Sequence, residues 1–474
     1  MVYFSGRRIA SPTPSSGPWL TQHGPELIAL CAFALVLWQR ALLNDSDTWW
    51  HLSAGDWILA HGAVPRSDPF SYTFGGQPWI PLEWLAEVML SLAWRAAGWP
   101  GVVLLTAGAF GLAVWLMARA AGRSLRGLPL WLTMLGGLVL FAPHLLARPH
   151  ILVLPLMVVW FAGLVAARRE CRLPSPWLLA VMVVWANMHG SFIAGLGLVV
   201  PFALEAVLQD PRGRTLLGWF AFSAAAVLAA MCTPFGLDGF LLPLRLVTTS
   251  QIQHIGEWGP VALDRLEPLH IAVLAFAVFY VLRRPRLGWL RWAVLLLLLA
   301  MSLTTQRHEM LLGLLGVLLL AEPIAAAIGP DGASTPSRNA WPLAVPAVIL
   351  AAARLAIPIA EPVNERDPRE ALAHVPPALA ARHVFNAYRF GGYLIRAGVA
   401  PFVDSRAELY GGDFLEDYSE LRAASADDLA GALDRYDVAW TIFPPNTPVA
   451  TAMETMPGWR RLYADAIAVI HVRQ

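Results

Sequence analysis

The chain has no lysine: all 34 of its basic side chains are arginine, set against 33 acidic residues and a formal net charge of +1. That balance leaves no excess of positive charge for a nucleic-acid surface. Cysteine is almost as scarce. Cys31, Cys171 and Cys232 fall in or beside different apolar runs, without metal-like spacing, which excludes a disulfide framework and a zinc site. Charge of either sign is low, at 14% of 474 residues, while 57% are hydrophobic and the mean hydropathy is +0.54. A soluble domain of this length needs more charge on its surface. Arg7 and Arg8 precede the first apolar run, and no small-residue cleavage site follows it. The run therefore reads as a retained span, not a signal peptide.

What is present is a series of long apolar runs, the mark of a polytopic membrane protein. Candidate spans lie near 25–43, 101–118, 128–143, 150–167, 175–188, 191–208, 215–232, 269–282, 287–304, 310–328 and 340–359. Arginines crowd the short loops 119–127, 168–172, 209–214 and 283–286, all on one side in this count together with Arg7 and Arg8. The positive-inside rule makes that side the cytoplasm. The eleven spans then place the C-terminus outside. The stretch 79–98 carries Glu83, Glu87, Arg95 and several tryptophans, and is expected to be an amphipathic interfacial helix instead of a twelfth span.

The opposite face collects the unusual residues. Asp45, Asp47, His51, Glu83, Arg148, His150, His189, His254, Glu257, Arg307, His308 and Glu309 come from five separate connections on that side. Each alone reads as an interfacial or snorkelling residue. Together they indicate an outward-facing polar site at the bilayer surface.

The stretch "NDSDTWWHLSAGDWI", 44–58, is the densest of these clusters. Two carboxylates just past the first span repel one another and the carbonyl end of its helix. Three compensators are open: a divalent cation such as magnesium, manganese or calcium; an arginine such as Arg148 or Arg307; or a proton on one aspartate. A simple N-cap by one aspartate is the plainer alternative. If a helix starts here, Asp47 and His51 share a face. The tryptophans suit a headgroup belt or stacking on a sugar ring. Paired carboxylates suit glycosyl transfer, one serving as general base toward an acceptor hydroxyl. A cation or the forks of Arg148 and Arg307 would steady a phosphate leaving group.

These features resemble the GT-C superfamily of polyprenyl-phosphate-dependent glycosyltransferases, which includes protein O-mannosyltransferases, oligosaccharyltransferases and the aminoarabinose transferases of lipid A. The string "DSDTWWHLSAGDWILAHGAVPRSDPFSYTFGGQPWIPLEWL" is similar to a bacterial branch of it, as are "RPH", "WANMHG", "QRHE" and "FNAYRFGGYLIRAGVAPFVDSRAELYG". The resemblance implies that Asp45 and Asp47 act as base or metal ligands, with magnesium or manganese the cation if one is used. His51 joins them as a candidate catalytic residue. Glu83, Arg148, His150, His189, Glu257, Arg307 and His308 are candidate substrate-binding residues. No WWD acceptor motif like that of the oligosaccharyltransferases is present, which argues against asparagine-linked transfer.

Beyond 360 the composition changes. "EPVNERDPRE" is a charged linker. "APFVD" and "VAWTIFP" read as buried strands, "DDLAGALDRY" as a helix and "RRLYADAIAVIHV" as a terminal strand pair. The expected fold is therefore a polytopic α-helical membrane domain over 1–359, with its first external loop at 44–100. A small extracytoplasmic α/β domain follows over 360–474. Asp404, Arg406, Glu408 and Tyr410 sit past an expected strand end, where open α/β sheets bind ligands. Asp404 and Arg406 accordingly become acceptor-binding candidates, with helix capping by Asp404 as the alternative.

The function expected from all this is transfer of a sugar from a polyprenyl-phosphate-linked donor to a glycan, lipid or protein acceptor. It would occur at the periplasmic face of a bacterial inner membrane. The alternatives are a non-catalytic glycan- or lipid-binding protein of an envelope assembly complex, and a transporter. A transporter would place its ionisable residues deep within spans, whereas here they gather at one face.

Overall fold

The computed structural model describes residues 19–247, 259–262, 264–329, 341–359 and 365–474. The first part is a helical bundle. Among the described residues, five helices are long and apolar enough to cross a membrane: Trp84–Ala121, Gly127–His144, Phe192–Gln209, Gly213–Ala230 and Gln306–Ile328. Shorter apolar helices, Gly24–Leu37, Pro268–Arg283, Trp289–Thr304 and Leu343–Ala356, complete most of the expected set. The expected span 175–188 holds a shorter element, the nine-residue helix Leu178–Ala186. Pro25, Pro149 and Pro268 stand in first turns, where a missing N–H removes no helix bond. Leu135, Leu217, Phe220, Leu274 and Val281 leave 64% to 70% of their surface uncovered. A soluble bundle would not present such a belt, but lipid solvates it. The chain is a multi-pass membrane protein.

At the arginine-rich end, Arg119 bonds the buried Glu26 at 2.9 Å, and Arg291 reaches Glu205 at 3.2 Å. The helix Trp84–Ala121 breaks at Ala97 and Gly98, where Gly98 takes φ 59°. In an unbroken helix, residues 93 and 101 would stand about 12 Å apart along the axis. Here a side-chain carbon on Gly101 would meet the Ala93 carbonyl oxygen at 2.1 Å. The chain turns sharply, so the stretch over 84–96 does not run on in line as part of the helix after the break.

The 84–96 stretch pairs instead with the helix Asp47–His61. Gly55 permits their approach, since a Cβ there would lie 2.1 Å from the Glu87 carbonyl oxygen. The first loop is thus two packed helices joined by turns, tied to neighbouring connections. Thr48 Oγ1 donates to the Ala147 carbonyl at 3.1 Å, and Trp84 Nε1 donates to Asn187 Oδ1 at 2.8 Å.

The tail carries a four-stranded sheet of β1 (Val384–Asn386), β2 (Trp440–Phe443), β3 (Trp459–Ala464) and β4 (Val469–Arg473), in the order β1-β2-β4-β3. β1 and β2 are parallel, with Val384 opposite Trp440, and the other pairs are antiparallel. Helices Ala407–Ala423 and Ala426–Arg435 lie in the connection between β1 and β2. The strands expected at "VAWTIFP" and in the terminal pair form, as does the helix at "DDLAGALDRY".

"APFVD" forms no strand. Its backbone groups are taken by other partners: Phe402 N donates to Asn386 Oδ1 at 2.8 Å, Asn386 Nδ2 to the Val403 carbonyl at 2.8 Å, and Thr73 Oγ1 to the Phe402 carbonyl at 2.6 Å. Asn386 and the first loop satisfy what a ladder would otherwise satisfy. The same loop enters the tail's hydrophobic core, which contains Trp50, Ala54 and Trp79 beside Phe385, Phe390 and Trp440.

Candidate active site

Helix Gly24–Leu37 ends well before the aspartates, and a 3₁₀ turn, Arg40–Leu43, intervenes. Asp47 opens the next helix. The sequence suggested a repulsive position at a helix C-terminus. The structure corrects this, because a carboxylate in a first helical turn is favoured by the dipole. Asp45 Oδ1 accepts the Asp47 backbone N–H at 3.3 Å, while Ser46 holds the N-cap position without a side-chain cap bond.

Capping does not account for both side chains, whose residues are 7% and 6% exposed. Arg148 lies between them. Its Nε is 3.0 Å from Asp45 Oδ2, and its Nη2 bonds Asp47 Oδ2. Of the three open compensators, the structure contains the arginine. Arg148 reaches this place because Ala147 N–H donates to the Leu42 carbonyl at 2.8 Å, pinning the "RPH" turn to the aspartate loop.

A divalent cation does not fit this donor set as it stands. The guanidinium fills the space between the carboxylates, and no group of three His, Cys, Asp or Glu side chains is arranged for a metal among the described residues.

One turn along, His51 Nδ1 faces Glu87 Oε1 at 3.3 Å, and its Nε2 lies 3.6 Å from Glu83 Oε2. The other Glu83 oxygen is 3.2 Å from His189 Nε2, and His189 Nδ1 pairs with Ser191 Oγ at 2.8 Å. Burial pushes the Glu83 carboxyl up to about 8, helped by Glu408 and Asp47 and opposed by Arg148 and Arg307. Burial first, then Arg148, pushes His51 well below the ordinary histidine value. His189 is lowered by burial, then by His150, Arg307 and Arg148. Near neutral pH, Glu83 therefore holds a proton and the two imidazoles are neutral.

The sequence-derived residues divide into three groups. Asp45, Asp47, His51, Glu83, Arg148 and His189 form one linked set, with Arg307 and His150 acting on it electrostatically. In the second group, His150 Nε2 pairs with the His144 carbonyl at 2.9 Å, and its ring centre is 6.3 Å from that of His189. His308 turns to the Met301 carbonyl at 3.3 Å. His254 and Glu257 lie outside the described residues.

Asp404 and Arg406 form the third group, and their surroundings differ from those expected of an acceptor grip. Both are fully buried. Arg406 Nη2 bonds Asp404 Oδ2 at 2.7 Å, and its Nη1 bonds Asp68 Oδ1, from the first loop, at 2.6 Å. The guanidinium also stands 4.8 Å from the Trp79 ring centre, and Tyr410 donates to Asp404 at 2.7 Å. Asp404 caps no helix; it receives Arg406 N–H at 3.0 Å. The cluster faces inward and locks the tail to the first loop. Its sequence signal read as an exposed strand end because the partner, Asp68, is more than 300 positions away.

Glu87 completes the His51 bracket, a role the sequence did not single out. Its signal was the four-residue spacing from Glu83, which places both on one helix face.

No protein-family model and no curated protein sequence matches the chain. Among solved structures, it superposes on ArnT from Cupriavidus metallidurans bound to undecaprenyl phosphate, with TM-score 0.50 and 15% identity over 94% of this chain and 97% of that one. It also superposes on the Archaeoglobus fulgidus oligosaccharyltransferase tethered to an acceptor peptide containing the NVT sequon, with TM-score 0.52 and 12% identity over 90% of this chain and 70% of that one. At such identities the likeness is one of fold. The chain has the GT-C fold: a polytopic helical membrane domain followed by a small α/β tail.

Proposed function

We propose that this protein is a membrane glycosyltransferase that moves a sugar from a polyprenyl-phosphate-linked donor to an acceptor hydroxyl. The observation that carries the reading is Arg148, shared by Asp45 and Asp47 beside the Glu83–His51–His189 set. The fold supports it, since ArnT of the same fold was crystallised with undecaprenyl phosphate.

In this reading Arg148, with Arg307, turns its fork to the donor phosphate. Released from the guanidinium, Asp47 or Asp45 accepts the acceptor's hydroxyl proton. The acceptor oxygen bonds to the anomeric carbon as the bond from that carbon to the phosphate oxygen breaks. The polyprenyl phosphate departs with the electron pair. Protonated Glu83, held by His51 and His189, adds no negative charge beside the incoming phosphate. No step needs a cation between the aspartates.

The arginine-rich end faces the cytoplasm, and the site and tail face the periplasm of a bacterial inner membrane. The test is native mass spectrometry of the purified chain. A co-purified polyprenyl phosphate or its glycoside is expected. A preparation that neither carries nor binds such a lipid overturns the reading.

A further inference from the structure

Tyr388 stands outside both the aspartate–arginine pair and the Glu83–His51–His189 set. It begins the 3₁₀ turn Tyr388–Phe390, directly before the tail helix Gly391–Arg396. Its backbone is held firmly: its N–H donates to Tyr418 Oη at 2.8 Å, and the preceding Ala387 N–H donates to the Ile442 carbonyl at 3.0 Å. Two close approaches fix the start of that helix. A side-chain carbon on Gly391 would lie 2.3 Å from the Val403 carbonyl oxygen, and one on Gly392 would lie 2.2 Å from the Ser46 carbonyl oxygen. Ser46 stands between the two aspartates.

The Tyr388 hydroxyl is buried and has no hydrogen-bond partner among the described residues. A buried hydroxyl left unpaired costs free energy, so it is either a defect or a group awaiting a ligand. Its location argues for a ligand. The side-chain charges that act on it are Asp47, Asp404 and Glu408, and then Arg148. Four residues on, Gly392 rests against Ser46, so Tyr388 lies where the tail meets the aspartate loop.

We propose that the Tyr388 hydroxyl binds the sugar of the lipid-linked donor, making this tail residue a determinant of sugar recognition. The inference rests on the glycosyltransferase reading above. The surroundings favour a neutral polyol over a phosphate. Sugar hydroxyls donate to carboxylates and both donate to and accept from a phenol, and the neutral phenol offers a phosphate no countercharge. The tail would thus complete the site by contributing one polar group, with Arg406 and its partners holding that group in place.

The test uses the full chain in detergent and follows thermal stabilisation by undecaprenyl phosphate and by its hexose, pentose and amino-sugar glycosides. Wild type is expected to gain more from at least one glycoside than from the bare lipid. Tyr388→Phe should keep the bare-lipid gain, lose the extra gain and bind that glycoside about tenfold more weakly. Its stability without ligand should be unchanged or slightly raised, because only an unpaired buried hydroxyl is removed.

An extra gain that survives in Tyr388→Phe overturns the inference. So does an equal loss with the bare lipid, which would assign the hydroxyl to the phosphate. A clear fall in ligand-free stability would make the hydroxyl structural and would also overturn it. Wild type that binds the bare lipid but gains nothing from any glycoside overturns the inference alone and leaves the lipid-donor reading standing. Wild type that binds none of the lipids overturns both.

Discussion

Gly392 of the tail rests against the backbone of Ser46, so closely that a Cβ on the glycine would fall 2.2 Å from the Ser46 carbonyl oxygen. The contact is backbone against backbone, and no flexible side chain can yield. Gly392→Ala should therefore push the tail helix away from the aspartate loop. Overpacking of this kind costs about 1–3 kcal/mol. The expected result is a lowered melting temperature, together with a loss of transfer larger than the loss of folded protein. Full specific activity in the folded fraction would show that the aspartate pair does not depend on the tail's position.

Arg406 holds the same seam from the other side. Replacing it with alanine leaves Asp404 and Asp68 buried without their shared cation. Breaking a buried pair in this way costs about 3–5 kcal/mol. Arg406→Ala should fold poorly, and thermal melting in detergent measures this. A variant as stable as wild type that loses only acceptor use would restore the acceptor-binding role that the sequence suggested.

Much of this was legible in the sequence, and the limits have physical causes. The apolar runs give the bundle, because burial in lipid writes itself directly into composition. Arg148 was legible as a compensator because two neighbouring carboxylates require positive charge. The pairing of Asp68 with Arg406 was not, since nothing local marks a charge whose partner is supplied by folding. "APFVD" has the composition of a buried strand, but Asn386 took its backbone bonds. Composition reports burial there and not the ladder. The helix-dipole argument failed for a similar reason: a four-residue 3₁₀ turn moved the aspartates from the end of one helix to the start of the next.

Glu83 predicts two pH effects. Its folded-state value is raised from 4.5 to about 8. Below 4.5 both states hold the proton, and the contribution of burying the neutral acid is fully present. As pH rises from 4.5 toward 8, the unfolded chain loses the proton first, so stability falls across that window and levels off above it. Glu83→Gln should flatten that part of the melting profile. Above about 8 the folded site gains a negative charge near Asp47, and donor KM should rise. In Glu83→Gln that rise should be absent. A wild-type donor KM that is flat from about pH 6 to 9 would remove Glu83 from the site.

Sidedness can be read with reporter fusions. Positions 125, 170 and 285 should report the cytoplasm, and 65 and 420 the periplasm. The break at Ala97 and Gly98 underlies this, because it separates the 84–96 stretch from the helix beyond it. A periplasmic signal at 125 would mean that 84–96 crosses the membrane, and would put the aspartates and the tail on opposite sides.

The aspartate pair gives the sharpest test, because a metal and an arginine make opposite forecasts. If Arg148 is the resident countercharge, chelation by EDTA should leave transfer unchanged, and added magnesium or manganese should not raise it. Asp45→Asn and Asp47→Asn should each remove most transfer, since each takes away one of the two carboxylates proposed to accept the proton. Their stability should fall by about 1 kcal/mol or less, because the neutral amide still bonds while Arg148 keeps the other partner. Arg148→Ala should behave differently. It strands two buried carboxylates and should cost about 3–5 kcal/mol as well as activity. Combining it with Asp45→Asn and Asp47→Asn should recover much of that stability without recovering transfer, because the buried charge is gone along with the base. If EDTA abolishes activity and manganese restores it, the guanidinium seen between the aspartates is displaced in the working enzyme. If the triple variant is no more stable than Arg148→Ala, the arginine holds the fold through contacts other than these two carboxylates.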